Sequence, residues 1–444
     1  MVLPEEGRCK DIMPQPSRVT VLVVLLLSFG MAYYHLFLLR PSILAHEASL
    51  GLGNGFYFGA DLYPIWLTSR EVLLQRQAPY SPEMTRQIQT GLFGRPLDPR
   101  NRGDRPVNYR TFAYPAYALL FLAPLVRLPF EYVRLCAAVV LAGAVVGSVF
   151  LWVQAVGLKL SRGRTLLVVL LALSNYYVLD GLYAEQMGLL VGLLLAGAVV
   201  ATRNEKLRCA GVLLALATIK PQMCVLLTAG ILLWTVSRWK ERRALTISFL
   251  SSIVLLGLVG EWLRGGWFRE WQEVVRGYRG YASVPLTELV FGVWFGLLLS
   301  SVLWAATLAL WWHFRQSEPR SLHLVFVAAI TLAVTAVSVL PGQAFYDHVI
   351  VMPGVLLLAA SWRKARSYPM KIALVFTGSL LLWQWVTALV VALSAFVASE
   401  ARIRGSVFAL HLPLQTVILF PFALLATLWF ARAYLAEPLG KTGR

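Results

Sequence analysis

The chain is expected to be an all-α polytopic membrane protein, and three observations carry that expectation. Its 444 residues are 58% hydrophobic and 14% charged. Its mean hydropathy is +0.67, a balance foreign to water-soluble domains. Apolar runs of spanning length recur from end to end, separated by short basic clusters. The net charge of +18 would suit a nucleic-acid partner, but its placement excludes that class. Most of the short Lys/Arg clusters sit between apolar runs, as they do in cytoplasmic loops.

The elements follow in order. Residues 1–18 read as a cytoplasmic tail, 19–431 as one transmembrane domain and 432–444 as a second cytoplasmic tail. Residues 19–39 form an uncleaved anchor, long enough to span and too long for a signal-peptide core. The clusters KLSRGR (159–164), RNEKLR (203–208), RWKERR (238–243), RQSEPR (315–320) and RKARSYPMK (363–371) are expected on the cytoplasmic side. Alternation between them puts both termini inside and gives about twelve crossings. After the anchor these are 132–158, 165–182, 187–202, 209–219, 221–236, 244–262, 296–314, 322–340, 349–362, 371–398 and 408–431. Several are short: 209–219 is about 16 Å of helix against a hydrocarbon core of about 30 Å. Such a helix must end inside the protein.

Residues 112–128 carry Pro115 and Pro124 and are expected to dip or lie on the surface. The first outer loop then runs over 40–131, far longer than a connector needs to be. It holds Asp61 at the head of an amphipathic stripe of Leu62, Ile65, Trp66, Ser69, Val72 and Leu73. Asp61 either caps this helix, with Pro64 in its first turn, or does chemistry.

Ionisable groups are costly in a bilayer, so those in apolar surroundings are candidates for function. On this topology they are Asp61, Asp180, Glu185, Lys220, Asp347 and His348, all towards the outer side. Of eight lysines, Lys220 alone is not cytoplasmic; it sits in ATIKPQ before the helix-breaking Pro221. Its counter-ion is either a carboxylate, Glu185 or Asp180, or a phosphate arriving on a lipid. Asp180, Glu185 and Gln186 form a polar outer turn suited to hydrogen bonds with a sugar or phosphate. The alternative is structural, with Glu185 pairing Lys220 and Asp180 and Asp347 capping helices. Trp267, Trp271, Tyr278 and Tyr281 read as an interfacial belt. The chain has no HxH, HExxH, DxD or CxxC spacing, so neither a metal site nor a cofactor nor a disulfide framework is expected.

Five stretches occur in an order that resembles glycosyltransferase family 87. They are GADLYPIW with the later APY, FAYPAYALLFLAPLVRLPF, the turn with Gln186, AGVLLALATIKPQ and YDHVIVMPGVLLL, together covering about 56–360. The resemblance implies a GT-C membrane fold with interfacial helices in the first outer loop. It implies a catalytic acid in that loop, Asp61, with Tyr63 beside it, and a donor-phosphate site at Lys220 and Gln186. Tyr63, Glu185, Asp180, Asp347 and His348 are the expected substrate-binding residues. Where the family reads Gly-Gln-x-Asn, this chain reads Glu185-Gln186-Met187-Gly188.

The implied activity is inverting transfer of a hexose, mannose being the expected one, from a polyprenyl-phosphate sugar donor at the outer face of the cell membrane. The acceptor would be a hydroxyl of a glycolipid or glycan. Asp61 would take the hydroxyl proton and Lys220 would neutralise the leaving phosphate. Two other classes are open. A ligase using a lipid diphosphate would favour several cations at the donor site. A transporter would show two related halves, which the chain lacks.

Overall fold

The computed structural model describes residues 15–49, 51, 58–98, 100, 104, 110–279, 283–342, 344–362 and 367–435. Much of the two expected tails lies outside these residues, as do Gly53, Gly55, Arg102, Arg105, Tyr281 and Lys364.

The described residues are overwhelmingly helical. The first helix, α1, is Arg18–Ser49, opened by Ser17, whose hydroxyl accepts from Thr20 N–H at 3.0 Å. It continues ten residues past the expected end of the anchor, through a π-helical stretch, Tyr34–Leu39. Arg40 is therefore a helix residue and not the start of a loop. The outer connection carries α2 (Tyr63–Gln75), α3 (Pro82–Phe93) and a 3₁₀ segment, Ala116–Leu125. That segment is the expected dipping run, kept from α-helix by Pro124 inside it.

Then follow α4 (Phe130–Val156), α5 (Arg162–Leu173), α6 (Tyr176–Ala184), α7 (Gly188–Arg203), α8 (Leu207–Ala217) and α9 (Pro221–Ser237). Next are α10 (Trp239–Leu263), α11 (Trp267–Arg279), α12 (Leu286–Phe291), α13 (Val293–His313) and α14 (Leu322–Ser338). A 3₁₀ turn, Phe345–Val351, leads into α15 (Met352–Ser361), and the long α16 (Tyr368–Ala398) packs along α1. Helical segments over Val407–Arg432 complete the described chain.

Each expected crossing is helical, but their number is not established as twelve. Six helices are long and apolar enough to span, or seven if α5 and α6, bent by 61°, form one broken span. The expected crossings at α7, α8, α9, α14 and α15 are apolar helices of 10–17 residues. These short helices are where the protein interior lies. Every residue of α14 from Leu324 to Ser338 is buried, the mark of a helix surrounded by protein. Its Thr331, Thr335 and Ser338 hydroxyls donate to carbonyls one turn back, at 2.6–2.8 Å. Thr331 and Ser338 also accept from the indoles of Trp311 and Trp304. No polar group of α14 is thereby left to a dry interior. By contrast α10 and α13 expose Leu255, Leu258, Trp294 and Leu298, a surface suited to lipid.

The two ends of the bundle differ in kind. At one end the connectors after α7, α9 and α13 are laced together by arginines. Arg203 donates to the Arg320 carbonyl at 2.6 Å, Arg242 to the Arg315 and Ser317 carbonyls at 2.8 and 2.9 Å, and Arg238 meets Glu318 at 2.7 Å. Helix α9 runs from that end to Lys220 at its other end, about 25 Å away. The basic connectors would place their end in the cytoplasm. With cysteines introduced singly, an impermeant reagent should label position 100 and not position 241 in intact cells; the reverse pattern would invert the topology.

Candidate active site

At the end opposite the arginine-laced connectors, segments distant in sequence converge on Asp61. The loop before α2 docks on the end of α6 by two backbone bonds: Gly59 N–H donates to Tyr183 O at 2.8 Å, and Asp61 N–H to Ala184 O at 3.1 Å. Leu62, not Asp61, stands at the α2 N-cap, and no side chain caps it there. The Asp61 carboxylate is used elsewhere. One oxygen takes a charge-assisted bond from Arg110, and the other accepts from Gln186 Nε2 at 2.5 Å.

The line continues inward. Gln186 Oε1 accepts from Lys220 Nζ at 2.8 Å, and Lys220 Nζ donates to Asp347 Oδ1 at 2.6 Å. Tyr114 Oη lies 3.5 Å from the same Gln186 oxygen. Arg110, Asp61, Gln186, Lys220 and Asp347 thus form one connected polar row contributed by four segments. Lys220 precedes the first turn of α9 and is 6% exposed; Asp347 is 1% exposed. The pairing is obligatory, since either charge alone at that depth would cost several kcal/mol. Gly188 makes room for it. A Cβ there would overlap Asp347 Oδ1 and come to 3.3 Å from Lys220 Nζ.

The counter-ion of Lys220 is therefore neither Glu185 nor Asp180, the two carboxylates proposed for it from sequence. Asp180 forms an ion pair with Arg40 and lies 3.6 Å from His35 Nε2. It does not cap α6, which is capped by Asn175 accepting from Tyr177 N–H at 2.9 Å. Arg40 also stacks over Tyr183, 4.4 Å from the ring centre. This cluster braces α1 against the part of α6 that receives the Asp61 loop.

Glu185 is fully buried, and neither of its oxygens has a hydrogen-bond partner among the described residues. Its backbone is left-handed, φ 55°, a conformation that suits glycine. That is the residue expected there from the family pattern. Asp347 does not cap a helix; it lies inside the 3₁₀ turn. His348 is buried against Tyr177 and Phe345, with ring centres 5.4 and 6.1 Å apart, and is not a member of the row. Tyr63 packs on Trp66 and Phe130 at 5.6 and 5.0 Å, facing a neighbouring cavity and not the Asp61 carboxylate.

The arginines of the outer connection divide in two. Arg95 grips Asp104 with two bonds of 2.6 Å and holds its carboxyl below the usual range, a structural pair. Arg110 meets Asp61 instead. Arg40, Arg110 and Arg134 were missed for a common reason. On the sequence topology all three are outer cations close to the expected site, but arginines fall on both sides of the membrane there, so the argument that singled out Lys220 among the lysines does not pick them out. Among the described residues, no group of three His, Cys, Asp or Glu side chains is arranged to hold a metal ion.

The fold and this buried ionic row define a polytopic membrane protein with a buried polar cluster at one end. The chain belongs to glycosyltransferase family 87, whose model matches residues 112–341, and it is a membrane glycosyltransferase. The match takes in Gln186 and Lys220, while Asp61 and Asp347 lie beyond its ends. No curated protein and no solved structure gave a match.

Glu185, at the turn between α6 and α7, supplies a pH test. Burial pushes its carboxyl up from 4.5 to about 8, against the pull of the Arg134 guanidinium. A raised carboxyl contributes stability that is complete below its unfolded value and lost as pH rises through about 8. The melting temperature should therefore fall between roughly pH 5 and pH 9, and Glu185→Gln should flatten that fall. An unchanged profile would place the titrating group elsewhere.

Proposed function

We propose that the protein transfers a hexose, with inversion, from a polyprenyl monophosphate to a hydroxyl of a glycolipid or glycan acceptor, at the outer face of the cell membrane. The observation that carries this reading is the connected row. It joins one carboxylate able to take a proton to one lysine able to hold a phosphate, through a single glutamine. Asp61 accepts the acceptor's proton as its oxygen attacks the anomeric carbon. The bond from that carbon to the phosphate oxygen breaks, and the electron pair leaves with the lipid phosphate. A phosphate is a good leaving group once its charge is matched, so no second carboxyl is needed to protonate it.

Each group fits its task. Carboxylate oxygens carry two lone pairs apiece, so Asp61 keeps room for a substrate proton while holding Arg110 and Gln186. Lysine has three N–H donors, of which two are directed at Gln186 and Asp347. The third is available to a phosphate oxygen. Arg110, 22% exposed at its side chain, is a second cation at the Asp61 end of the row. Asp180 and His35 act at one remove, through Arg40.

A second cation in the row also keeps a lipid-diphosphate donor in view, and one assay separates the two. Purified protein is given radiolabelled polyprenyl-monophosphate hexose or a lipid-diphosphate sugar, and transfer is counted. Turnover is expected with the monophosphate alone, and turnover with the diphosphate alone would overturn the donor assignment. Asp61→Asn should lose at least about 100-fold in kcat with an unchanged melting temperature. Retention of a tenth of the activity would remove it as the base. Lys220→Ala should raise the donor KM and lower kcat. Lys220→Arg should recover only part, because a planar fork does not replace a point charge.

A further inference from the structure

Beside the ionic row, and separate from it, a groove runs between α2 and α3. It consists of two cavities of about 770 and 600 Å³ that share Tyr63 and Gly91, each of a size that holds small ligands. We propose that this groove binds the saccharide portion of the acceptor, and that the acceptor is an oligosaccharide chain. The proposal rests on the reading of the chain as a transferase to a glycan or glycolipid hydroxyl.

The two cavities are lined differently, and together they suit sugars. The first has three mutually packed rings, Tyr63, Trp66 and Phe130, with centres 5.0–5.6 Å apart. Trp66 is 8% exposed and its indole N–H is buried away from the cavity, so it contributes the apolar part of its ring to the wall. The second cavity is walled by planar polar groups, including Glu71, Gln75, Gln77, Glu83 and Gln87. Sugars have apolar faces of C–H groups and rims of hydroxyls. They match aromatic walls on one side and amides and carboxylates on the other. A lipid tail would match the first cavity but would leave the amides and carboxylates of the second unsolvated, at a cost.

The groove adjoins the chemistry. Tyr63 is two residues from Asp61 on the same chain. Arg134, in the wall of the first cavity, has its Cγ only 3.0 Å from where a Gly59 Cβ would stand, so this wall abuts the loop that carries Asp61. Gly91 keeps the two cavities together. A Cβ there would come to 2.5 Å from Tyr63 Cζ and drive the ring out of the groove. From Tyr63 to Gln75, helix α2 is about 18 Å long, more than one sugar ring occupies.

The test uses the whole protein in detergent and a panel of soluble gluco-, galacto- and manno-oligosaccharides of increasing length, with binding read by saturation-transfer NMR. At least one series should bind more tightly as it lengthens. Tyr63→Ala and Gln87→Ala should each weaken it about tenfold or more. Melting temperatures guard against misfolding, and partly exposed Gln87 serves if Tyr63→Ala does not fold. Failure of every series to bind would overturn the proposal. So would affinity independent of length, or binding indifferent to Gln87→Ala. Loss of copurified lipid in Tyr63→Ala, with sugar binding intact, would mark a lipid groove instead. The binding should persist in Asp61→Asn. If that variant also kept full transfer activity, the catalytic reading would fail while the groove stood.

Discussion

The ion pair between Lys220 and Asp347 is the constraint on which the rest of this structure depends. Two full charges are held almost out of reach of water, and each is tolerable there only because of the other. Their meeting requires α9 to stop short of a full crossing, so that Pro221 can open it behind Lys220. It requires the 3₁₀ turn after α14 to bring Asp347 inward, and a residue without a side chain at the start of α7. The short helices are thus the consequence of building a polar cluster within a bundle that is otherwise greasy.

The cluster is assembled from parts that arrive by separate routes. Asp61 comes on a loop tied by its backbone to the end of α6, and Arg110 from the far end of the same outer connection. Gln186 follows the turn at Glu185. Because Gln186 bonds both Asp61 and Lys220, a shift of α6 moves the expected base and the expected phosphate site as a unit. The Arg40–Asp180 pair and the packing of Arg40 on Tyr183 resist that shift from the side of α1.

Much of this was legible in the sequence, and the remainder was hidden for physical reasons. Helix positions followed from apolar runs and basic connectors, because bilayer thickness and charge placement act on composition directly. The amphipathic stripe of α2 buries Leu62, Ile65, Trp66, Ser69 and Val72 as expected. Lys220, Gln186, Asp61 and Asp347 were each picked out as charges or amides in apolar surroundings, and the fold brings these four together. Which carboxylate would face Lys220 was not legible. Glu185, Asp180 and Asp347 are equivalent in a one-dimensional reading, and only the packing of α6 and α7 against the 3₁₀ turn chooses among them. Arg40 was missed because α1 was expected to end at residue 39, where its polar residues begin; the apolar criterion is blind to a helix that continues with its charges turned inward.

The π-helical stretch Tyr34–Leu39 gives that continuation its aim. Such a stretch holds one residue more than α-helical winding would. Wound as ordinary α-helix, the same residues would carry everything beyond them round by about 100°. Arg40 would then swing away from Asp180, and α6 would lose its tether while the span itself stayed intact. The first helix thus contains a register joint. A single-residue deletion within the stretch would be absorbed by a return to ordinary winding, whereas the same deletion in the α-helical turns ahead of it would be felt at the reaction centre.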